Sequence, residues 1–282
     1  MQPEIEILLA TWNGERYLKE QLDSLLAQTN TSWQLIAHDD GSSDATLDIL
    51  HTYQRQYPER IQVLEDGQRF GNACGNFAHL LKHAQAPYVM FCDQDDIWLP
   101  FKVEVTLNAM QAEEAKCPSV PILVHTDLQV VDAQGNKLAS SFFDAQQLPR
   151  EYRSLLDAAV LNRVTGCTVM LNQAAIDEGT PIPRQALMHD WWLACRTLQA
   201  GGKVVFVNQP TMGYRQHGGN VIGAKAIGVS YYAKRLLALK DVATSLQGVI
   251  KQARALGLQD STLRIVGTKL AYTIKRVIPH AR

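Results

Sequence analysis

The chain has 282 residues, of which 46% are hydrophobic and 20% are charged, and its formal net charge is −1. This composition is typical of a globular protein with one large domain or a domain with an extension. Residues 1–4 lack the basic and apolar regions of a secretory signal, and no apolar run approaches the roughly 18–20 residues that cross a bilayer. Five cysteines without a CxxC spacing favour reduced thiols. We therefore expect a cytoplasmic protein.

Charge is unevenly distributed along the chain. Residues 225–282 contain eleven Lys and Arg but two Asp, a balance of +9, whereas residues 1–224 carry −10. An acidic body with a basic tail indicates two separate tasks.

The first hundred residues alternate between strand and helix patterns. Strands are predicted at 4–10, 33–38, 61–64 and 88–92, and helices at 15–28, 45–56 and 71–84, the second helix capped by Ser43 or Asp44. This alternation predicts an α/β fold with a mostly parallel sheet and helices on both faces. The GxGxxG fingerprint is missing after the first strand, which argues against a dinucleotide redox cofactor. A Walker loop is also missing.

The remaining sequence divides into two parts. Further helices are predicted at 99–115, 155–161 and 189–200, strands at 121–131, 166–171, 203–207 and 211–215, and a hairpin turn at 132–136. From 227 onward the pattern is helical with a break near Gly257. We therefore predict a nucleotide-binding half at 1–98, an acceptor half at 99–224 and a basic helical C-terminal extension at 225–282.

Three carboxylates follow the fourth predicted strand, at Asp93, Asp95 and Asp96. In open α/β sheets, ligands bind beyond the carboxyl ends of the strands. Like charges this close repel each other, and a divalent cation with oxygen ligands, Mg²⁺ or Mn²⁺, would balance them. The alternative is a solvated acidic turn.

Three other polar clusters fall at predicted element ends. Thr11, Trp12 and Asn13 follow the first strand, where an aromatic ring can stack on a base, although Trp12 as a core anchor is the alternative. Asp39-Asp40 follows the second strand and suits ribose hydroxyls or a base N–H, with turn duty as the alternative. Asp190 lies at a helix start, where an N-cap is the alternative.

Together these segments resemble family 2 glycosyltransferases. The matching motifs are Ala10-Thr11-Trp12-Asn13-Gly14, His38-Asp39-Asp40-Gly41-Ser42-Ser43-Asp44, Phe91-Cys92-Asp93-Gln94-Asp95-Asp96-Ile97-Trp98 and His189-Asp190-Trp191-Trp192. The segment 214–223, Tyr-Arg-Gln-His-Gly-Gly-Asn-Val-Ile-Gly, is similar to rhamnosyltransferase-like members. The resemblance implies a GT-A fold with a Rossmann-like sheet, a nucleoside-diphosphate-sugar donor and inversion at the anomeric carbon.

The resemblance also implies residue roles. Asp190 would be the catalytic base, Asp95 a metal ligand, and the nucleotide-sugar-binding residues would be Thr11, Trp12, Asn13, Asp39, Asp40, Asn76, Asp93, Gln94 and Arg215. From the chemistry of the leaving diphosphate, Arg215 or His217 could donate to the phosphates. His217 could instead be a further metal ligand, with a lid role together with the glycines of 218–223, or a structural role, as alternatives. Two departures from the family pattern are His189, where an acidic residue often precedes the base, and Gly75, where some relatives have Arg. The QxxRW motif of processive synthases is absent.

The expected reaction is metal-dependent transfer of L-rhamnose from dTDP-rhamnose, or of a sugar from a UDP-sugar, to a saccharide acceptor of a bacterial surface polysaccharide. The tail has three interpretations: contact with an anionic membrane that carries a lipid-linked acceptor, packing on the catalytic domain, or pairing with a second subunit in a homodimer. No nucleic-acid recognition motif occurs, so no nucleic-acid partner is expected. Competing classes are a nucleotidyltransferase that makes a nucleotide sugar and a non-catalytic sugar-binding domain.

Overall fold

A computed structural model describes residues 3–217 and 239–277. Within these residues the strands are β1 (Ile5–Thr11), β2 (Trp33–Asp39), β3 (Ile61–Leu64), β4 (Tyr88–Asp93), β5 (Ile97–Trp98), β6 (Ile122–Val131), β7 (Lys137–Ala139), β8 (Val169–Asn172) and β9 (Lys203–Arg215). The α-helices are α1 (Glu15–Leu26), α2 (Thr46–Gln56), α3 (Ala73–His83), α4 (Lys102–Glu114), α5 (Phe142–Ala145), α6 (Leu155–Val160), α7 (Gln173–Gly179), α8 (His189–Gln199), α9 (Leu239–Ala255) and α10 (Thr262–Val277).

One sheet contains all nine of these strands, in the order β3-β2-β1-β4-β8-β6-β9-β5, with β7 paired to β6. The first four strands are parallel, as the alternation predicted. The register sets Thr11 beside Asp39 and Ala10 beside Asp93, so the polar ends of three strands meet at one edge. The second half is mixed, because β8 runs antiparallel to both β4 and β6 while β9 runs parallel to β6.

Helices cover both faces of the sheet. Alternate residues of β1 point to opposite faces, so Ile7 and Leu9 pack with α1, α2 and α4, whereas Leu8 packs with α3, α7 and α8. This arrangement is the doubly covered sheet that the sequence predicted, and it buries most of the apolar surface that drives folding.

Some local predictions were wrong. Helix α2 has Ala45 at its N-cap, not Ser43 or Asp44, and the Asp44 carboxylate accepts hydrogen bonds from the backbone N–H groups of Glu15 and Thr46. The two predicted strands around Pro210 are one strand, β9, whose register against β6 shifts where Pro210 lies opposite Asp127. Proline has no N–H to donate, and the irregularity absorbs the missing bond without ending the strand.

Other elements had no strong local signal. The short strand β5 and the helices α5 and α7 were not predicted, and residues 166–168 form a 3₁₀ turn before β8 where a strand was expected. The hairpin turn is confirmed, since it joins the antiparallel strands β6 and β7.

The described part of the C-terminal extension packs on the body of the protein. Val249, Ala253, Leu256 and Ile265 are buried in a cluster with α6 and with Trp191 and Trp192 of α8. The opposite side of α10 leaves Leu263, Leu270 and Ile274 exposed.

None of the described helices is both long and apolar enough to traverse a bilayer. Residues 218–223 and the first predicted tail residues, up to 238, lie outside the described residues.

Candidate active site

Asp39 organises the loop that follows β2. Its carboxylate accepts hydrogen bonds from the Thr11 hydroxyl at 2.8 Å, from the Gly41 N–H at 3.0 Å and from the Ser42 N–H at 2.7 Å. Gly41 has a φ of +88°, a conformation that favours glycine, and the Arg69 side chain lies directly over it, 2.7 Å from where a Cβ would be. These hydrogen bonds fix the Asp39 carboxylate between the end of β1 and the loop after β2. Asp39 would contact a donor from this position.

Asp40 connects this turn to the loop after β3. Its carboxylate accepts a hydrogen bond from the Phe70 N–H at 2.5 Å. The loop between β3 and α3 therefore lies beside Asp39 and Asp40, and its Arg69 side chain covers Gly41.

The loop after β1 is held by Gln94. The Gln94 amide accepts from the Trp12 N–H at 2.8 Å and donates to the Trp12 carbonyl at 3.0 Å. A Cβ on Gly14 would lie 2.3 Å from Gln94 Oε1, so this close approach requires glycine. The indole of Trp12 is 61% exposed, which rules out the core-anchor alternative and leaves a flat apolar face open at the site.

Asn13 joins the first two loops. Its backbone has a φ of 47°, its N–H donates to the Ser42 hydroxyl at 2.7 Å, and its side-chain oxygen accepts from the Ser43 N–H at 2.8 Å. The predicted nucleotide-side residues Thr11, Trp12, Asn13, Asp39, Asp40 and Gln94 therefore belong to one hydrogen-bonded set of loops.

The acidic cluster after β4 is partly desolvated. Burial, together with the charges of Asp95 and Asp190, raises the pKa of Asp93 to about 7. Asp96 is fully buried, which raises its pKa well above the ordinary value, and it accepts a hydrogen bond from the Arg215 N–H at 3.1 Å. The solvated-turn alternative does not fit this burial, and the concentrated negative charge suits a bound cation.

The two predicted metal ligands meet in the structure. Nε2 of His217 lies 2.6 Å from a carboxylate oxygen of Asp95, and the imidazole packs on the Tyr17 ring at 4.8 Å between centroids. Carboxylate oxygen with imidazole nitrogen is a donor set that accepts Mn²⁺ and, with waters, Mg²⁺. A second group of ligand-type atoms, from Asp93, Asp96 and Cys167, lies within 4.8 Å of one another. Sequence reasoning missed Cys167, because nothing near it in the chain indicates the site.

Arg215 is hydrogen-bonded to the loop that carries Asp95 and Asp96. The guanidinium is buried and donates to the carbonyl of Asp95 at 2.9 Å, to the carbonyl of Ala133 at 2.9 Å and to the Glu20 carboxylate at 2.6 Å. These contacts position Asp95 and Asp96, whereas a direct contact of Arg215 with a donor stays a prediction.

Asp190 lies in the first turn of α8, whose N-cap is Met188, so the simple N-cap alternative is wrong. The Asp190 carboxylate is buried, which raises its pKa to about 6. It accepts from the Trp191 N–H at 2.6 Å and from the Asn162 side-chain amide at 3.4 Å. A buried carboxylate whose pKa lies near neutrality is suited to proton transfer.

His189, beside Asp190, is a neutral packing residue. Its ring packs on Phe77 with centroids 4.2 Å apart and meets Phe91 edge-on at 4.6 Å, and burial lowers its pKa to about 3. An apolar environment on this side explains why Asp190 is so poorly solvated.

Asn76 is buried, and its side chain contacts His38 near the end of β2. Its side-chain oxygen lies 2.7 Å from Nδ1 of His38, and its amide nitrogen donates to the His38 carbonyl at 3.2 Å. The structure therefore engages both ends of this amide with His38, and a nucleotide contact for Asn76 stays a prediction.

Comparisons with known proteins find relatives that are similar in sequence and in fold. A dTDP-rhamnosyl transferase, RfbG of Shigella flexneri, is 29% identical over 236 residues, which cover 80% of this chain and 76% of that protein. The crystal structure of S. aureus TarS 1-349 in complex with UDP has a TM-score of 0.60 at 16% identity and covers 96% of this chain and 71% of that one.

A mannosyltransferase from Pyrobaculum calidifontis, solved with GDP-Man and Mn²⁺, has a TM-score of 0.56 at 15% identity and covers 100% of this chain and 77% of that one. These structural matches confirm the GT-A fold. The model of Glycosyl transferase family 2 matches residues 6–179, more than half of the chain. The chain is therefore a GT-A glycosyltransferase that belongs to glycosyl transferase family 2.

Proposed function

We propose that this protein transfers L-rhamnose from dTDP-rhamnose, with inversion, to a saccharide acceptor during synthesis of a bacterial surface polysaccharide. The similarity to a dTDP-rhamnosyl transferase over 80% of the chain carries the choice of donor. The set of strand-end loops around Trp12 and the acidic cluster supports a nucleotide-sugar site.

Asp190 takes the proton in this scheme. Above pH 6 its carboxylate is ionised and accepts the proton of the acceptor hydroxyl, whose oxygen forms the new bond to the anomeric carbon. The bond from that carbon to the diphosphate oxygen breaks on the opposite face, and dTDP leaves with the bonding electrons. Asn162 holds one carboxylate oxygen and the Trp191 N–H holds the other, so the base is oriented before the substrate arrives.

Asp95 and His217 would hold the divalent cation, Mg²⁺ or Mn²⁺. When bound, this cation would neutralise the charge that develops on the leaving diphosphate. Asp93 would contact the ribose or the sugar, while Arg215 holds the backbone of Asp95. The exposed indole of Trp12 provides a stacking surface for the base.

The C-terminal extension is proposed to contact an anionic membrane that presents a lipid-linked acceptor to a cytoplasmic, peripherally bound enzyme. Leu263, Leu270 and Ile274 share one exposed face of α10, and the surrounding tail is strongly basic. Each cation near an anionic surface contributes roughly 1 kcal/mol. A homodimer formed through the same face is the competing outcome.

A panel of dTDP-, UDP- and GDP-sugars tests the donor, with release of the nucleoside diphosphate as the measured product. We expect the highest turnover with dTDP-rhamnose, and loss of turnover in Asp190→Asn and Asp95→Asn. Preference for a GDP-sugar would overturn the proposed donor. Release of pyrophosphate from a nucleoside triphosphate and a sugar phosphate would instead identify a nucleotidyltransferase.

A further inference from the structure

Two imidazoles and a carboxylate converge at a place that the proposed transfer does not use. His38 lies near the end of β2, Asp66 in the loop after β3, and His79 in the middle of α3. Their candidate ligand atoms all lie within 4.8 Å of one another. The Asp66 carboxylate is 3.5 Å from Nε2 of His38 and 2.6 Å from Nε2 of His79.

The tautomer of His38 is determined by Asn76. The Asn76 amide nitrogen donates to the His38 carbonyl, so the amide oxygen is the atom that faces Nδ1 at 2.7 Å. An amide oxygen only accepts, and Nδ1 must therefore carry a proton. In the neutral ring this leaves the lone pair of Nε2 directed at the Asp66 carboxylate, where two electron-rich atoms face each other.

A positive charge between these atoms removes the conflict. A metal ion supplies that charge, because it binds the lone pairs of both imidazoles and the carboxylate at once. The bond from Nδ1–H to Asn76 is then the outer-shell contact that metal-binding histidines commonly make.

The other two groups are in the forms that bind metal. Burial lowers the pKa of His79, which favours its neutral imidazole, and the Gln68 N–H lowers the pKa of Asp66, which favours its carboxylate. Zinc bonds of about 2.0–2.2 Å imply ligand atoms about 3.3–3.5 Å apart in a tetrahedron. The His38–Asp66 distance of 3.5 Å already fits, and the partly exposed Asp66 can rotate away from His79.

We propose that His38, Asp66 and His79 form a binding site for a divalent transition-metal ion, with Zn²⁺ as the best match, and with one position open to water. Two histidines and one carboxylate are a common zinc donor set, in which a water completes the tetrahedron. This site uses none of the predicted ligands Asp95 and His217, and its existence does not depend on the proposed reaction.

An ion there would stiffen the nucleotide side of the protein. It would tie β2 and α3 to the loop after β3, whose Phe70 stacks on His79 at 4.9 Å and donates its N–H to Asp40. The expected role is therefore to stabilise the loop after β3 that lies beside Asp40.

The test uses the full chain, stripped with a chelator, in an Asp95→Asn/His217→Ala/Cys167→Ser background that disables both the Asp95–His217 pair and the group of Asp93, Asp96 and Cys167. Zn²⁺ is titrated against a chromophoric chelator, and Co²⁺ is used as a spectroscopic probe of tetrahedral nitrogen and oxygen ligands. We expect one equivalent of Zn²⁺, and a loss of affinity of at least about 10-fold in His79→Gln and in Asp66→Asn.

Asp66 lies in a partly exposed loop, so Asp66→Asn tests the site even if a histidine variant folds poorly. His51→Gln is the matched control, because His51 also faces a carboxylate, that of Glu65 at 3.2 Å, but lies outside the cluster. It should bind Zn²⁺ as the background does. Absence of a stoichiometric Zn²⁺ site, or affinity unchanged in both His79→Gln and Asp66→Asn, would overturn the proposal whether or not the enzyme transfers rhamnose.

Discussion

Nε2 of His217 lies 2.6 Å from the carboxylate of Asp95, although 122 positions separate the two residues in the chain. Strand β9 ends at Arg215, and the buried Arg215 side chain is hydrogen-bonded to the Asp95 carbonyl, so the end of β9 carries His217 directly onto the acidic loop. A carboxylate and an imidazole in this relation are either a hydrogen-bonded pair or two ligands of one cation.

Loss of His217 distinguishes these two roles. If it is a ligand, His217→Ala should lower kcat by about 10- to 100-fold and should raise the Mn²⁺ concentration needed for half-maximal activity. The measurement is initial rate against Mn²⁺ concentration at saturating donor. Asp144→Asn, which removes an exposed carboxylate paired with Arg150, is the control and should leave the metal dependence unchanged. An unchanged metal dependence in His217→Ala would refute the ligand role.

Replacing Asp190 with asparagine should lower kcat by about 10²- to 10⁴-fold, because a positioned general base contributes that much. Since burial raises the pKa of Asp190 to about 6, the wild-type rate should fall as the pH drops below 6, where the carboxylate takes up a proton. Rates from pH 5 to 9 check both expectations.

The same substitution makes a stability prediction. A carboxyl whose pKa is raised in the folded state is destabilising when ionised, and this cost grows as the pH rises from about 4 to about 6. The neutral amide of the Asp190→Asn variant cannot ionise, so this variant should have a Tm at pH 8 equal to or above that of the wild type. A lower Tm together with lost activity would indicate that Asp190 has a structural role instead.

Trp12 is expected to act on donor binding alone. With 61% of the side chain exposed, Trp12→Ala should leave the Tm unchanged within about 1 °C, a typical result for a surface substitution. Loss of a stacking free energy of about 1–3 kcal/mol should raise the KM for the donor by about 5- to 100-fold. Trp12→Phe retains an aromatic face and should recover most of the affinity. Equal KM values for the Ala and Phe variants would exclude stacking.

The exposed face of α10 is tested by Leu263→Glu and Leu270→Glu. Flotation with vesicles that contain anionic lipid should capture the wild type, and each variant should lower the bound fraction at least several-fold. Leu138→Glu, on β7 of the body, places the same charge at a similarly exposed leucine and should bind as the wild type does. Concentration-dependent dimers that the α10 substitutions abolish, without any flotation, would favour a second subunit as the partner.

The alternating apolar patterns were sufficient to predict the parallel half of the sheet. Period-2 and period-3.6 patterns are local, so the boundaries of β1 to β4 and of α1 to α4 agree with the structure to within a few residues. Because parallel strands end at one edge, the positions of Asp39 and Asp93 also followed from the sequence, and the motifs identified the family.

Only the tertiary structure decided which of these polar residues face one another. Asn76 turns inward to His38, Cys167 joins Asp93 and Asp96, and Arg215 is buried behind Asp95, and no local pattern predicts any of these contacts. Each contact joins segments that are far apart in the sequence. Their relative positions are determined by how the helices and the mixed strands pack. Sequence alone therefore determined the chemistry available at the strand ends, and packing decided which side chains face the site and which support it.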